Sequence, residues 1–342
     1  MNDIPSPVCG VFGHPGPLWK KDLRLSDLGI NALFVDSPSL DGETIERARD
    51  EGCLVFAEFA TLNGLYDDYV AEHPEAHPIG ADGQPAAPAT WFMGACPTDP
   101  GFRASRMKAL RSLLETYDVD GVWMDYLHWH AQFEDPYPQL VKTCFNDSCL
   151  AAFTSWSDVD IEGETTAQKA DRILHHAPRQ WEDWRVSVLV DWAREIRETV
   201  KQVRPRALVG NYQAAWKEED FWGARRRCLG LDFDALAPYV DVFSPMLYHG
   251  HSGMSPEYLK EYVEYFCERH LTRTEAGRLP RLWPIVQAQA TPPVSADELA
   301  RVLEYGLGAD SSGVMIFTSA SVADDPEKAE VVRNIYTGVA RG

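Results

Sequence analysis

The sequence lacks the features that mark several large protein classes. It has only seven cysteines in 342 residues, at positions 9, 53, 96, 144, 149, 228 and 267. So low, odd and scattered a set argues against a disulfide framework and for free thiols. No apolar run approaches the roughly 20 residues that a membrane span needs. The start, Met1-Asn2-Asp3-Ile4-Pro5-Ser6-Pro7, has neither the basic n-region nor the apolar core of a signal peptide, so the expected location is cytoplasmic. Positive charge is scarce: 32 Lys and Arg stand against 52 Asp and Glu, a net charge of −20. Such a chain is repelled by polynucleotides and anionic membrane surfaces, which sets nucleic-acid and lipid-headgroup roles aside. No G-x-G-x-x-G turn, P-loop, internal repeat or low-complexity linker is found.

What is present is ordinary globular composition, 45% hydrophobic and 25% charged, which excludes disorder. Short apolar runs alternate with stretches of helical period. Strands are expected at Val8 to Gly13, Ala32 to Ser37, Leu54 to Ala60, Val119 to Trp129, Ala207 to Ala214, Val240 to Tyr248, Leu282 to Ala290 and Gly313 to Ser319. Their near-continuous hydrophobicity is that of strands buried on both faces of a parallel sheet. Between them, Trp184, Val188, Trp192, Ile196 and Val200 form one stripe of a helix over Glu182 to Val203, which Pro205 stops. Helices are also expected at Phe102 to Tyr117, at Asp297 to Leu307 behind an N-cap at Ser295, and at Pro326 to Val339.

Eight strands interleaved with helices predict an α/β fold of the (β/α)8 TIM barrel type, one catalytic domain over residues 1–342. A doubly wound sheet is the alternative, without its usual glycine turn. Two segments are too long for plain βα loops: residues 61–101 after strand three, and residues 127–180 after strand four. Both leave the carboxyl ends of the strands, where barrels do their chemistry, and are read as top-face insertions.

Alternate residues of a barrel strand point inward. In Gly121-Val122-Trp123-Met124-Asp125-Tyr126, Asp125 lies late in the strand and shares parity with Trp123 and Gly121. An ionised carboxylate in a buried strand is costly unless paired or used, and Asp120 at the strand's start is read as structural. Glu58 ends strand three in an apolar run. Asp36 ends strand two, where Ser37-Pro38 also suits a turn cap. Eleven tryptophans add indole faces suited to stacking on sugars, with Trp91, Trp123, Trp129, Trp216 and Trp222 in or beside top-face segments. Trp123, Trp129, Tyr212, Met246, Tyr248, His249, Gln287 and Gln289 are the candidate substrate contacts. Paired carboxylates, amides and aromatics are the components of glycoside hydrolysis.

These residues also carry a resemblance. Tyr117-Asp118-Val119-Asp120-Gly121-Val122-Trp123-Met124-Asp125 is similar to the "Y-x-V-D-G-(I/V)-(F/W/H)-x-D" strand-four signature of TIM-barrel glycoside hydrolases, the hypothetical glycosyl hydrolase groups. Asp82-Gly83-Gln84-Pro85, with Cys96-Pro97-Thr98-Asp99-Pro100-Gly101-Phe102-Arg103, resembles their "D-G-x-P … C-x-N-P-x-(F/Y)-R" stretch. Cys144-Phe145-Asn146-Asp147-Ser148-Cys149 with Phe153 resembles "C-(Y/F)-C-x-x-C-x-x-x-F", with Asn146 at the middle cysteine. Trp181 to Arg185 also matches. The likeness spans residues 80 to 215 and implies that Asp125 is the functional strand-four aspartate. Family eighteen chitinases are a more distant comparison: Met246-Leu247-Tyr248 resembles their strand six, but Trp123 and Leu127 stand where an aspartate and the catalytic glutamate would be, so chitin hydrolysis is rejected.

The function expected is therefore a glycosidase cleaving an O-glycosidic bond in a small saccharide or oligosaccharide. Asp125 is its expected nucleophile and Glu58, then Asp36, its acid/base; Glu134, Asp135, Glu218, Glu219 and Asp220 are further acid candidates. No cofactor and no metal are expected, and homo-oligomerisation is compatible with this reading. A noncatalytic sugar-binding barrel is the alternative. A metal-dependent hydrolase or lyase using Asp36, Glu58 and Asp125 with His14, His128 or His249 ranks below it, since no H-x-H or H-E-x-x-H run supports it. Cys144 and Cys149 are not at a standard zinc spacing; with His175 and His176 nearby they have a metal reading, but packing in a loop subdomain is preferred.

Overall fold

The computed structural model describes residues 4–64, 69–133, 136–271 and 277–339. The strands are β1 (Val8–Phe12), β2 (Ala32–Asp36), β3 (Leu54–Ala60), β4 (Gly121–Asp125), β5 (Leu208–Ala214), β6 (Val242–Leu247), β7 (Arg281–Leu282), β8 (Ile285–Gln287) and β9 (Gly313–Phe317). All pair in parallel, and the sheet closes because β5 bonds both β4 and β6. β7 and β8 are one stave, broken where Pro284 has no N–H to give. Hydrogen bonding continues across the break, from Trp283 N to Phe243 O and from Met315 N to Pro284 O. The result is the expected eight-staved (β/α)8 barrel.

The longer helices are α1 (Gly42–Asp50), α2 (Pro100–Thr116), α3 (Asp147–Trp156), α4 (Thr166–His176), α5 (Pro178–Val203), α6 (Glu257–His270), α7 (Ala296–Gly306) and α8 (Pro326–Val339). Ser295 caps α7 in a reciprocal box with Glu298, as its sequence suggests. α5 begins four residues before the expected Glu182, because Pro178 is a favourable first-turn residue. The fourth strand is shorter than expected. It ends at Asp125, where Tyr126 turns to a φ of 53°.

Parity sorts the core into two layers. Val122 and Met124 pack outward against the helices, whereas Val8, Phe34, Phe56, Trp123, Tyr212, Trp283 and Met315 fill the barrel interior. Trp123 stacks on Trp283 at 5.5 Å between ring centroids and meets Phe34 and Phe56. Large residues face small ones across this layer. A Cβ on Gly210 would sit 2.0 Å from the Trp123 ring, so only glycine lets the indole lie there. The barrel is thus closed below by an aromatic floor, and its open end carries residues 61–64, 69–99, 126–133 and 136–177, the last holding α3 and α4.

Candidate active site

Three carboxylates stand on this floor, each at or near the carboxyl end of an adjacent strand. β2 pairs Asp36 with Glu58 of β3, β3 pairs Glu58 with Trp123, and Ala60 pairs with Asp125 of β4. All three share inward parity with the core residues two positions earlier: Phe34, Phe56 and Trp123. Strand stagger brings Glu58 and Asp125 together, and their side chains are hydrogen-bonded to one another. Asp36 lies within electrostatic reach of Glu58, and Ser39 Oγ donates to its Oδ2 at 2.7 Å. Its carboxylate makes no helix-capping bond to the backbone.

Burial over the aromatic floor pushes Glu58 well above the ordinary carboxyl range, and the negative charges of Asp125 and Asp36 push the same way. Burial also raises Asp125, to about 6, against the Tyr126 amide and the Glu58 hydrogen bond, which favour its ionised form. The hydrogen bond between the two carboxyls needs one proton, and it raises Glu58 while lowering Asp125, so Glu58 is the donor and Asp125 the acceptor. The left-handed turn at Tyr126 contributes, because it aims the Tyr126 N–H at Asp125 Oδ1, 2.7 Å away. A non-glycine residue at such a φ is uncommon, and strain of this kind gathers at functional sites.

The expected substrate contacts divide. Tyr212 is buried beside the pair, its phenol held up by burial and by the charges of Glu58 and Asp125. Met246, Tyr248 and His249 line a small cleft on the β5–β6 side of the mouth, with Phe133, Trp216, Phe221 and Tyr258. The cleft stops short of the carboxylates, and Tyr212 lies within electrostatic reach of both Tyr248 and the pair. Trp123 is not at the pocket but in the barrel interior, its Nε1 donating to Ser244 Oγ at 3.0 Å. Trp129 is likewise closed off under α5, donating to Arg185 O at 3.1 Å. Gln287 is fully buried and bonds the backbone of His251 and Pro292, so it shapes the loop there. Gln289 is half-buried just beyond β8.

Among the loop carboxylates, Glu218 pairs with Arg269 at 2.9 Å and Asp220 accepts from Lys217 N at 2.7 Å; Glu219 is exposed. Glu134 and Asp135 lie outside the described residues. Nor do Asp36, Glu58 and Asp125 gather with a histidine. Among the described residues, the one group of three or more ligand-type side chains is Cys96, Cys144 and Cys149. His14 contacts Thr44 at 3.0 Å, and His128 bonds Trp129 O at 2.9 Å and is held down to about 4 by burial. His175 and His176 are exposed and do not join the thiols.

Sequence reasoning missed two contributors. Tyr258 of α6 reaches the cleft from a helix whose periodicity reads as packing alone, and Cys96 meets the other two thiols from 48 residues or more away. Only the paired appearance of Cys96 and Cys144/Cys149 in the resemblance hints at the second.

No family model matches the sequence, and no curated protein does. Solved structures do match it. The glycoside hydrolase domain of PgaB (BpsB) from Bordetella bronchiseptica superposes with a TM-score of 0.71 at 14% identity, over 97% of this chain and 99% of that one. A beta-galactosidase from the psychrophilic Marinomonas ef1 gives 0.69 at 13%, over 97% of this chain but only 59% of its own. The catalytic domain of beta-amylase from Paenibacillus polymyxa gives 0.63 at 10%, over 97% and 98%. The fold is that of TIM-barrel glycoside hydrolases. No particular kinship to family eighteen emerges.

Proposed function

We propose that this chain is a glycosidase that cleaves an O-glycosidic bond with Asp125 as nucleophile and Glu58 as acid/base. The observation that carries the reading is the hydrogen-bonded Glu58–Asp125 pair at the carboxyl ends of β3 and β4. Glycoside hydrolysis asks for two carboxyl groups in opposite protonation states, and environments that hold them apart supply the assignment. Glu58, more deeply buried and flanked by two other carboxylates, keeps the proton. Asp125, with an amide on its oxygen, is the one that ionises.

In the forward step Glu58 transfers its hydrogen bond from Asp125 to the glycosidic oxygen and protonates it as the bond breaks. Asp125 attacks the anomeric carbon and forms the glycosyl ester. Glu58, now ionised, takes a proton from the water that cleaves the ester. Inverting enzymes hold their carboxyls about 6.5–9.5 Å apart to admit a water, retaining enzymes about 5–5.5 Å. A pair in direct contact favours retention, with the sugar wedging the two apart.

The cleft lined by Phe133, Trp216, Tyr248 and Tyr258 suits the apolar face of a neighbouring sugar ring, which supports an oligosaccharide substrate. A purely sugar-binding barrel has no use for a proton-sharing pair that costs free energy to bury. The test is a panel of aryl glycosides followed by anomeric NMR. Turnover with retained configuration, falling about 10³-fold or more in Asp125→Asn at unchanged melting temperature, is the expected result. Near wild-type turnover in Asp125→Asn overturns the assignment.

A further inference from the structure

The two insertions at the top of the barrel meet at a cluster of thiols that the proposed chemistry does not use. Cys96 comes from the segment after β3, and Cys144 and Cys149 from the segment after β4. All three are buried, and their sulfur atoms lie within 4.8 Å of one another, Cys96 Sγ and Cys149 Sγ at 3.5 Å. Tetrahedral zinc with Zn–S bonds of about 2.3 Å sets its sulfurs about 3.8 Å apart, so the three thiols need little movement to share one ion. Oxygen atoms surround them. Thr98 Oγ1 is 3.1 Å from Cys149 Sγ and 3.4 Å from Cys96 Sγ, and Ser148 Oγ is 3.4 Å from Cys96 Sγ. Asn146 Oδ1 contacts Cys144 Sγ directly.

Asn146 is held by an unusual amount of hydrogen bonding for a loop amide. Its Nδ2 donates to Glu75 O and His77 O at 3.0 and 2.9 Å, and its Oδ1 accepts from Ile79 N at 3.0 Å. That leaves one lone pair of Oδ1 facing the sulfurs. The backbone around the cluster is fixed too, by Cys96 N to Ala76 O and Phe145 N to Ile79 O. Hydrogen bonds from Cys144 and Cys149, then Ser148 and Thr98, hold Cys96 well below the ordinary thiol range, whereas burial pushes Cys144 and Cys149 up. Arg185 is in electrostatic reach of Cys144 and Cys149, but its guanidinium is committed to the carbonyls of Arg227 and Cys228 at 2.6 Å each. Three buried sulfurs within 4.8 Å of one another, ringed by side-chain oxygens, fit a soft metal ion.

We infer that Cys96, Cys144 and Cys149 bind a divalent ion of the zinc type through their three sulfurs, with Asn146 Oδ1 as the fourth, oxygen donor. Four protein ligands close the coordination shell, so the ion is structural rather than hydrolytic. It ties the β3 insertion to the β4 insertion. This departs from the reading of these cysteines as packing alone. Binding requires the thiols still protonated to release their protons, so uptake tightens as pH rises.

The experiment uses the full chain purified without chelator. Elemental analysis should find about one zinc per chain. A cobalt(II) derivative should show sulfur-to-cobalt charge transfer and the intense visible bands of a tetrahedral site. Asn146→Cys, which completes a four-thiolate set, should raise zinc affinity about tenfold or more in competition with a chromophoric chelator. Cys144→Ser should lose the metal, and Cys267→Ser, whose half-buried thiol is not in the cluster, should keep it. If Cys144→Ser fails to fold, the cobalt spectra of wild type and Asn146→Cys still decide. Protein that takes up neither zinc nor cobalt at micromolar concentration overturns the site. So does metal retained by a folded Cys144→Ser variant, or a denatured thiol count two short of the seven cysteines, which would mean a disulfide.

Discussion

Glu58 and Asp125 differ by one methylene, yet the proposed mechanism gives them opposite roles. With Asp125 raised to about 6 and Glu58 raised well above its ordinary value, kcat/KM should climb as pH passes 6 and fall again once Glu58 loses its proton. In Glu58→Gln, assayed on an aryl glycoside whose leaving group needs no proton, the falling limb should vanish while the rise near 6 remains. A falling limb that persists in this variant assigns the acid role to another residue, Asp36 first. The same shifts bear on stability. Both folded values lie above the ordinary 3.8 and 4.5, so the folded state binds more protons between roughly pH 4 and 6. Their stabilising contribution is full below about pH 4 and is lost as pH rises through the folded values. Asp125→Asn should therefore flatten this part of the stability profile and leave the protein at pH 7 as stable as wild type or about 1–3 kcal/mol more so. Denaturant melts across pH 4–8 check this. A variant less stable at pH 7 would show Asp125 to be a structural ion.

Carboxylates at the other end of the strands do different work. Asp120 precedes β4 and accepts from Val55 N of β3 at 2.9 Å; Asp241 precedes β6 and accepts from Val209 N of β5 at 2.9 Å. Burial raises Asp241, but Lys201, the Val209 amide, Arg197 and Arg278 outweigh it and hold Asp241 below the ordinary range. Asp241→Ala strands those cations and that amide, and should cost about 3 kcal/mol in a denaturant melt, with turnover per folded molecule unchanged. A loss under 0.5 kcal/mol would contradict this role. Sequence reading placed Asp120 before β4 and Asp125 at its carboxyl end, as the structure has them, because period-two alternation fixes parity and position fixes the end. It also found the barrel, since continuous apolar strands between amphipathic helices have few other uses. It misplaced Trp123 for a reason alternation cannot resolve: inward parity means core two residues below the strand's end and pocket only at the end. Trp129 failed differently, since a loop residue carries no parity at all. The Glu58–Asp125 contact depends on strand stagger, which no single strand's residues encode.

At the scale of the whole molecule the net charge of −20 acts on every charged ligand that approaches the barrel mouth. Asp36 and Asp125 concentrate negative charge at its centre, beside a Glu58 that burial and those two charges raise well above the ordinary carboxyl range. The lining of the adjacent cleft is aromatic and apolar apart from Ser252 and His249, and burial keeps His249 below the ordinary histidine range, hence uncharged at pH 7. Nothing in that lining offers a cation to a sugar carboxylate or sulfate. Neutral saccharides are therefore the expected substrates. An anionic saccharide of the same ring structure should be disfavoured at low salt and recover as the Debye length shrinks from about 30 Å at 0.01 M to about 8 Å at 0.15 M. The measurement is kcat/KM for a neutral and a uronic aryl glycoside as sodium chloride is raised between those limits. The neutral substrate should be nearly insensitive, and the ratio of anionic to neutral should rise severalfold. An anionic substrate that is preferred at low salt, and loses ground as salt is added, would mean that a cationic group from outside the described cleft reaches the sugar and outweighs the field of the whole.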